Sequence, residues 1–251
     1  MGTSDLCVYG IIRTGRPLPP GLRGLGAPPA ALRLLPSGPV SAVVSEAPEG
    51  LRARRRDLTA HQDVLLTLAA GGAVLPMRFG MVAPDERTVL GELAASQESH
   101  LGVLERLEGQ IEMNVKVLPV EHGLAALVRE DPAVRRLREA ARRRPGYEAS
   151  LRLGEAVSAG LAARAAWAAD EAHAQLAHLA GDSVQGPAVG GCVRNTSFLI
   201  PRAAEKEFRA VAGRLAGAHR DLAELRLTGP LPCYSFVTSA APQPARAARR
   251  V

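Results

Sequence analysis

Apolar residues open the chain as a run, LCVYGII at residues 6–12, whose β-branched members predict a central strand. From Gly15 to Pro39 the pattern dissolves into Gly, Pro and Leu, with Pro-Pro at 19–20 and 28–29. Helices break there, so the stretch predicts a long loop with at most a short strand at 32–35. Residues 40–45 predict the next strand. Thr59-Ala60-His61-Gln62 fits a T-x-x-Q capping box and predicts a helix to about Ala70, stopped by Gly71-Gly72. His61 falls between Leu58 and Leu65 on that helix's apolar stripe, which turns it toward the core as a hydrogen-bonded histidine.

The next segment, VLPMRFG at 74–80, alternates Leu75, Met77 and Phe79 against Arg78. Pro76 cannot donate to a sheet ladder and belongs on an edge or at a bulge, while Arg78 points away from the core. Pro84-Asp85 opens one long helix carrying Leu90, Leu93, Leu101, Leu104 and Leu107, ended by Gly109. Ile111, Met113, Val115 and Val117 alternate with Glu112, Asn114 and Lys116, a half-buried strand. Asp131-Pro132 is a cap followed by proline, starting a helix that Pro145-Gly146 interrupts. A longer helix from Glu155 to Ala180 has a stripe of small residues suited to close packing on a sheet. A strand at 192–200 ends at Pro201, and a helix carries Phe208, Val211, Leu215, Leu222 and Leu225. CYSFV, 233–237, closes the fold as a strand.

These elements predict an α+β protein of two domains. Residues 1–109 form a small mixed sheet with helices, and residues 110–241 form a modified ferredoxin-like fold with helices on one face of a sheet. Residues 242–251 make a disordered basic tail.

Composition changes this picture in a few places. Of 251 residues 47% are hydrophobic but only 3% aromatic, so the cores are built from Leu, Val and Ala. No apolar run reaches the roughly 18 residues of a membrane span, and a cytosolic protein without membrane attachment is expected. Cys7, Cys192 and Cys233 are far apart and read as buried free thiols, and the histidines show no metal-ligand spacing, so a metal site is not expected. The net charge of +6 and the cluster of arginines from Arg135 to Arg144 invite a nucleic-acid reading. Three of those six excess charges, however, lie in the terminal PQPARAARRV, and only two lysines accompany the arginines. Specific nucleic-acid binding is not expected.

Several segments taken together carry a resemblance: YGII at Tyr9, His61, VLPMRFG, the I-E-M-N-V-K-V strand, NTSFLI at 195–200 and GPLPCYSFV at 229–237. In this order and spacing the chain resembles the gas vesicle protein F/L family over nearly its whole length. The resemblance implies two α+β domains without cofactor and a location in the cytoplasm and at the gas vesicle. It implies an accessory or minor structural protein of vesicle assembly, whose partners are the hydrophobic gas vesicle shell protein and other gas vesicle accessory proteins. His61, Pro76, Phe79, Gly80, Gly229, Pro230 and Phe236 are structural members of the motifs. Arg78 and Tyr234, residue types enriched at interfaces, are the partner-binding candidates.

An enzyme is disfavoured because no P-loop, G-x-S-x-G or metal spacing occurs. Asp170 with His173, one helical turn apart, reads as a surface pair. The alternative function is a ferredoxin-like small-ligand or regulatory binding module, which a ligand that raises the melting temperature would reveal.

Overall fold

Leu6–Arg13 forms β1, on which the first sheet is built. Arg33–Ser37 (β2) and Val40–Glu46 (β3) form a hairpin, and β3 pairs antiparallel along the length of β1. On the other side of β1 lie two short strands, Leu75–Pro76 (β4) and Val82–Ala83 (β5), both antiparallel to it. The sheet order is β2-β3-β1-β4, with β5 also on β1. All its pairs are antiparallel, so the sheet is not mixed as expected. Only β2 and β3 are joined as neighbours; the chain from β1 to β2 skips the place that β3 fills, and the connection from β3 to β4, which carries the first helix, crosses over β1. The computed structural model describes residues 5–187 and 189–237. These form two units, residues 5–110 with 232–237, and Ile111–Leu231.

In the first unit helices cover both faces of the sheet. Arg55–Ala70 is α1, whose Val64, Leu65 and Leu68 pack on Cys7, Tyr9, Ile12 and Val43. It starts before Thr59, so Thr59 is an interior residue and the expected capping box does not form; Arg54 stands at the cap without a side-chain bond. The expected long helix after Pro84 is two helices, Glu86–Ala95 (α2) and Gln97–Arg106 (α3), which break at Ser96 where φ is −114° and ψ is 16°. Asp85 caps α2 by accepting from the Thr88 N–H at 2.7 Å. Adjacent strand residues face opposite ways, so Val8, Ile11 and Ala42, neighbours of the residues under α1, face α2 and α3 instead.

The second unit begins with Gln110–Pro119 (β6). Three helices follow, Leu124–Glu130 (α4), Pro132–Arg143 (α5) and Tyr147–Ala177 (α6). Asp131 caps α5 by accepting from the Ala133 and Val134 N–H groups, the cap-then-proline start that the sequence predicts. Then come Asp182–Gln185 (β7), Arg194–Pro201 (β8), Glu205–Ala218 (α7) and Ala223–Leu231 (β9). The strand order β7-β8-β6-β9 with this succession of strands and helices is the β-α-β-β-α-β layer, elaborated by α4 and α5. Its core joins Met113, Val115 and Val117 of β6 and Phe198 and Ile200 of β8 to the alanines of α6 and to Phe208 of α7.

Two assignments near the end of the chain are corrected. Leu222 and Leu225 do not continue the helix of Phe208; α7 ends at Ala218, and Leu225 lies in β9, where Ala223, Leu225 and Leu227 alternate with exposed Glu224, Arg226 and Thr228. Residues 233–237 are not the closing strand. Tyr234–Phe236 is a 3₁₀ turn that belongs to the first unit, with the Arg106 guanidinium donating to the Phe236 carbonyl. The first unit is thus discontinuous in sequence, unlike the contiguous span 1–109. The tail 242–251 lies outside the described residues.

Candidate functional site

Helix α1 carries His61 one turn ahead of Val64 and Leu65, which brings its imidazole, only 4% exposed, onto the Tyr9 ring. The two rings stack with centroids 5.5 Å apart, and Phe79 meets the imidazole edge-on at 5.7 Å. Tyr9 is fixed in turn: its hydroxyl accepts from the Leu25 N–H at 2.7 Å and hydrogen-bonds the Ser45 hydroxyl at 3.0 Å. Gly24 must lack a side chain, since a Cβ there would lie 2.5 Å from the Tyr9 Oη.

Phe79 reaches His61 because the strand pairing lapses where the motif lies. Pro76 sits on the edge strand opposite Gly10, and the Met77 N–H still donates to the Tyr9 carbonyl. A turn then runs from Arg78 to Met81, closed by the Met81 N–H on the Arg78 carbonyl, with Gly80 at φ +85°. The alternation that predicted Met77 and Phe79 on one face ends at this turn. Pairing resumes at Val82.

Tyr234 completes the cluster, its hydroxyl 3.4 Å from His61 Nδ1. It is half-buried and turned toward the histidine, whereas Arg78 is exposed on the turn. The structure therefore brings His61, Phe79 and Tyr234 together with Tyr9, flanked by Pro76, Gly80 and buried Phe236. It leaves Gly229 and Pro230 elsewhere, at the end of β9 in the second unit. Gly229 is required there because a Cβ would meet the Met113 sulfur at 2.6 Å.

Burial pushes the His61 pKa down, and Nε2 is buried with no hydrogen-bond partner. The imidazole is neutral at neutral pH, between aromatic rings rather than beside a carboxylate or a nucleophile. This is a packing cluster that ties the 3₁₀ turn, the 78–81 turn and β1 to α1. Asp170 and His173 do not pair: Asp170 meets Arg194, and the His173 ring packs at 5.6 Å on Phe198. Among the described residues no group of three His, Cys, Asp or Glu could hold a metal ion, and no helix is long and apolar enough to cross a membrane.

The other face of the same sheet holds a feature that sequence reasoning missed. Between β1, β3 and the 77–84 segment on one side and α2 and α3 on the other lies a cleft of about 320 Å³. Ile11, Met77, Val89 and Leu93 line its walls, and Met81 and Val82, 49% and 40% exposed, stand at its rim. The only carboxylate lining it is Glu92, and the His100 imidazole contributes a buried Nδ1 without a partner. Burial lowers the His100 pKa, so this ring too is neutral at neutral pH. The available signal was Met81-Val82, an apolar pair directly after Gly80 that belongs to no periodic segment.

The sequence model of the family described as Gas vesicle synthesis protein GvpL/GvpF matches residues 6–238. Gas vesicle protein F of Streptomyces sp. (strain CB03234) is 43% identical over 234 residues, covering 92% of this chain and 98% of its own length. Gas vesicle protein L of the same organism is 32% identical over 244 residues, covering 87% of each. The crystal structure of the gas vesicle protein GvpF from Anabaena sp. PCC7120 is similar in fold, with a TM-score of 0.77 at 22% identity over 94% of this chain and 99% of that one. That of GvpF from Microcystis aeruginosa has a TM-score of 0.74 at 24% identity, over 94% and 100%. With nearly its whole length matched, the chain belongs to the GvpL/GvpF family of gas vesicle proteins.

Proposed function

We propose that this protein is a non-catalytic accessory factor of gas vesicle assembly that works in the cytoplasm and at the vesicle. It binds the hydrophobic shell subunit directly and keeps it from aggregating before it is built into the wall. The observation that carries this reading is the apolar cleft of the first unit, continuous with exposed Met81 and Val82, in a chain of a gas vesicle family. A subunit that builds a gas-filled wall exposes an apolar face, and such faces associate non-specifically in water unless covered. Methionine suits a cover of this kind because its unbranched, polarizable side chain adapts to the surface it meets.

Strand addition is the less favoured route. Pro76 occupies the edge strand and removes a donor from it, and the pairing of that edge is broken by the 78–81 turn. Packing of an apolar helix face into the cleft needs no free sheet edge. Arg78 is exposed on the 78–81 turn and is not among the residues that line the cleft. Tyr234, turned inward to His61, supports the unit from within.

The test is co-expression of this protein with the shell subunit. Soluble shell subunit should rise, and the two proteins should co-purify. A shell subunit equally insoluble with and without this protein, with nothing co-purifying, would refute direct binding.

A further inference from the structure

The cleft is asymmetric in charge as well as apolar. Among the groups that line it Glu92 is the only charged one, and it is exposed, with no ion pair among the described residues. The helical wall that bears it is acidic. Between Asp85 and Glu98 the sequence places Asp85, Glu86, Glu92 and Glu98 against the single base Arg87, in a chain whose net charge is +6. Asp85 is occupied in capping α2, Glu86 is paired with Arg33 at 2.7 Å and Glu98 does not line the cleft, which leaves Glu92 as the acidic group presented there.

Its volume also restricts what it takes. A dry cavity of about 150 Å³ holds one small aromatic ring, so about 320 Å³ accommodates two or three bulky aliphatic side chains. Side chains three and four residues apart on one helix face present such a set, and the residue one turn further lies within reach of the rim. The polar lining is sparse, limited to Thr88, Ser96, Glu92 and the unpartnered Nδ1 of His100. This is the composition of a site that buries an apolar surface and orients it by a few polar contacts.

We infer that this cleft is the docking site for an amphipathic helix of the partner, whose bulky aliphatic face enters between Met81, Val82 and Leu93 and whose flanking lysine or arginine pairs with Glu92. The inference rests on the proposed function for the partner's identity and on the cleft alone for the partner's chemistry. It assigns Met81 and Val82 as apolar contacts and Glu92 as the residue that selects orientation and rejects an acidic helix. Like charges set opposite one another are strongly unfavourable, so the selection acts mainly by exclusion.

The experiment uses the full chain and two fluorescein-labelled helical peptides of about 18 residues, long enough to hold a helix on binding. Both carry the same leucine stripe at three- and four-residue spacing, one flanked by lysines and the other by glutamates. Fluorescence anisotropy should show the lysine peptide binding roughly tenfold more tightly than the glutamate peptide. Glu92→Lys, at an exposed helix position, should reverse that preference, and Met81→Asp should abolish binding of both while leaving the melting temperature unchanged. A preference that survives Glu92→Lys, binding that survives Met81→Asp, or no saturable binding to the wild-type chain overturns the proposal. Co-purification of the shell subunit with wild type and variants is run alongside. If the shell subunit is captured equally by wild type, Glu92→Lys and Met81→Asp, this site is wrong and the proposed function stands. If the peptides behave as expected but wild type captures no shell subunit, the site stands and the proposed function fails.

Discussion

Each of the two sheets is faced by helices, and the two pack to different degrees. In the second unit the gap between α6 and the sheet is about 10 Å³, lined by Ala169, Ala172, Leu176 and Phe198. In the first unit, between α2, α3 and the sheet, it is about 320 Å³. The difference follows from the residues in contact. Alanines at 165, 168, 169 and 172 let α6 approach the sheet closely enough for Val115, Val117 and Phe198 to fill what remains. In the first unit the sheet is notched instead, because its edge is two two-residue strands separated by the 78–81 turn, and the break at Ser96 divides the covering helix. Small residues leave almost no space between α6 and its sheet, whereas a notched sheet under a broken helix leaves a cleft.

Ala172→Leu should break the tighter of the two regions and has the largest expected effect. Added methylenes have no space between α6 and β6, and overpacking of this kind costs about 2 to 3 kcal/mol. Urea denaturation should show the loss, and Trp167, the single tryptophan and on the same helix, reports it by fluorescence. Unchanged stability would mean that α6 does not rest on the sheet as closely as its alanines allow.

On the other side of the first sheet, His61→Ala removes the ring between Tyr9 and Phe79 and the contact with Tyr234, with an expected cost of about 2 kcal/mol. It should also change the response to acid. Burial holds the folded pKa of His61 below its ordinary 6.5, so the unfolded chain takes up the proton first as pH falls. Wild-type stability should therefore be retained above about pH 6.5 and decline progressively below it. His100 is lowered by burial in the same direction, so the variant should keep part of the slope. Calorimetry from pH 7.5 to 5 measures both terms. An identical acid slope in wild type and variant would show that His61 does not carry its share, and lost vesicle formation at unchanged stability would make it a functional residue.

The smallest expected effect sharpens the comparison from the cleft side. Ala42→Val adds two carbons at a fully buried position that faces the cleft, and β-branched residues suit a strand. The expected change in stability is less than about 1 kcal/mol, against the larger loss for adding bulk under α6. Partner capture should nonetheless weaken as the cleft fills. A loss as large as that of Ala172→Leu would show that the cleft cannot accept added side chains.

Much of this architecture was legible from short-range pattern. The alternation from Ile111 to Val117 is β6, the Asp131-Pro132 pair caps α5, and Gly71 stops α1, each because backbone geometry is decided by the residues that adopt it. The readings failed where two periodicities compete. Leu222 and Leu225 are three apart, which suits a helix, yet Leu225 and Leu227 are two apart, and the pairing of β9 with β6 made strand the answer. CYSFV has strand-like composition, but its apolar side chains are taken up by the first unit around Arg106 and His61.

By itself the sequence determined the α+β class, the core-facing histidine, the edge position of Pro76 and the family, because periodicity, turn chemistry and an ordered set of motifs are properties of the chain read in one dimension. Only the tertiary structure decided that residues 232–237 return to the first unit, that Tyr234 faces His61, and that Met81, Val82, Leu93 and Glu92 surround one cleft. The physical reason is that a cleft is a failure of packing between segments distant along the chain. No local pattern encodes the space that two well-formed elements leave between them.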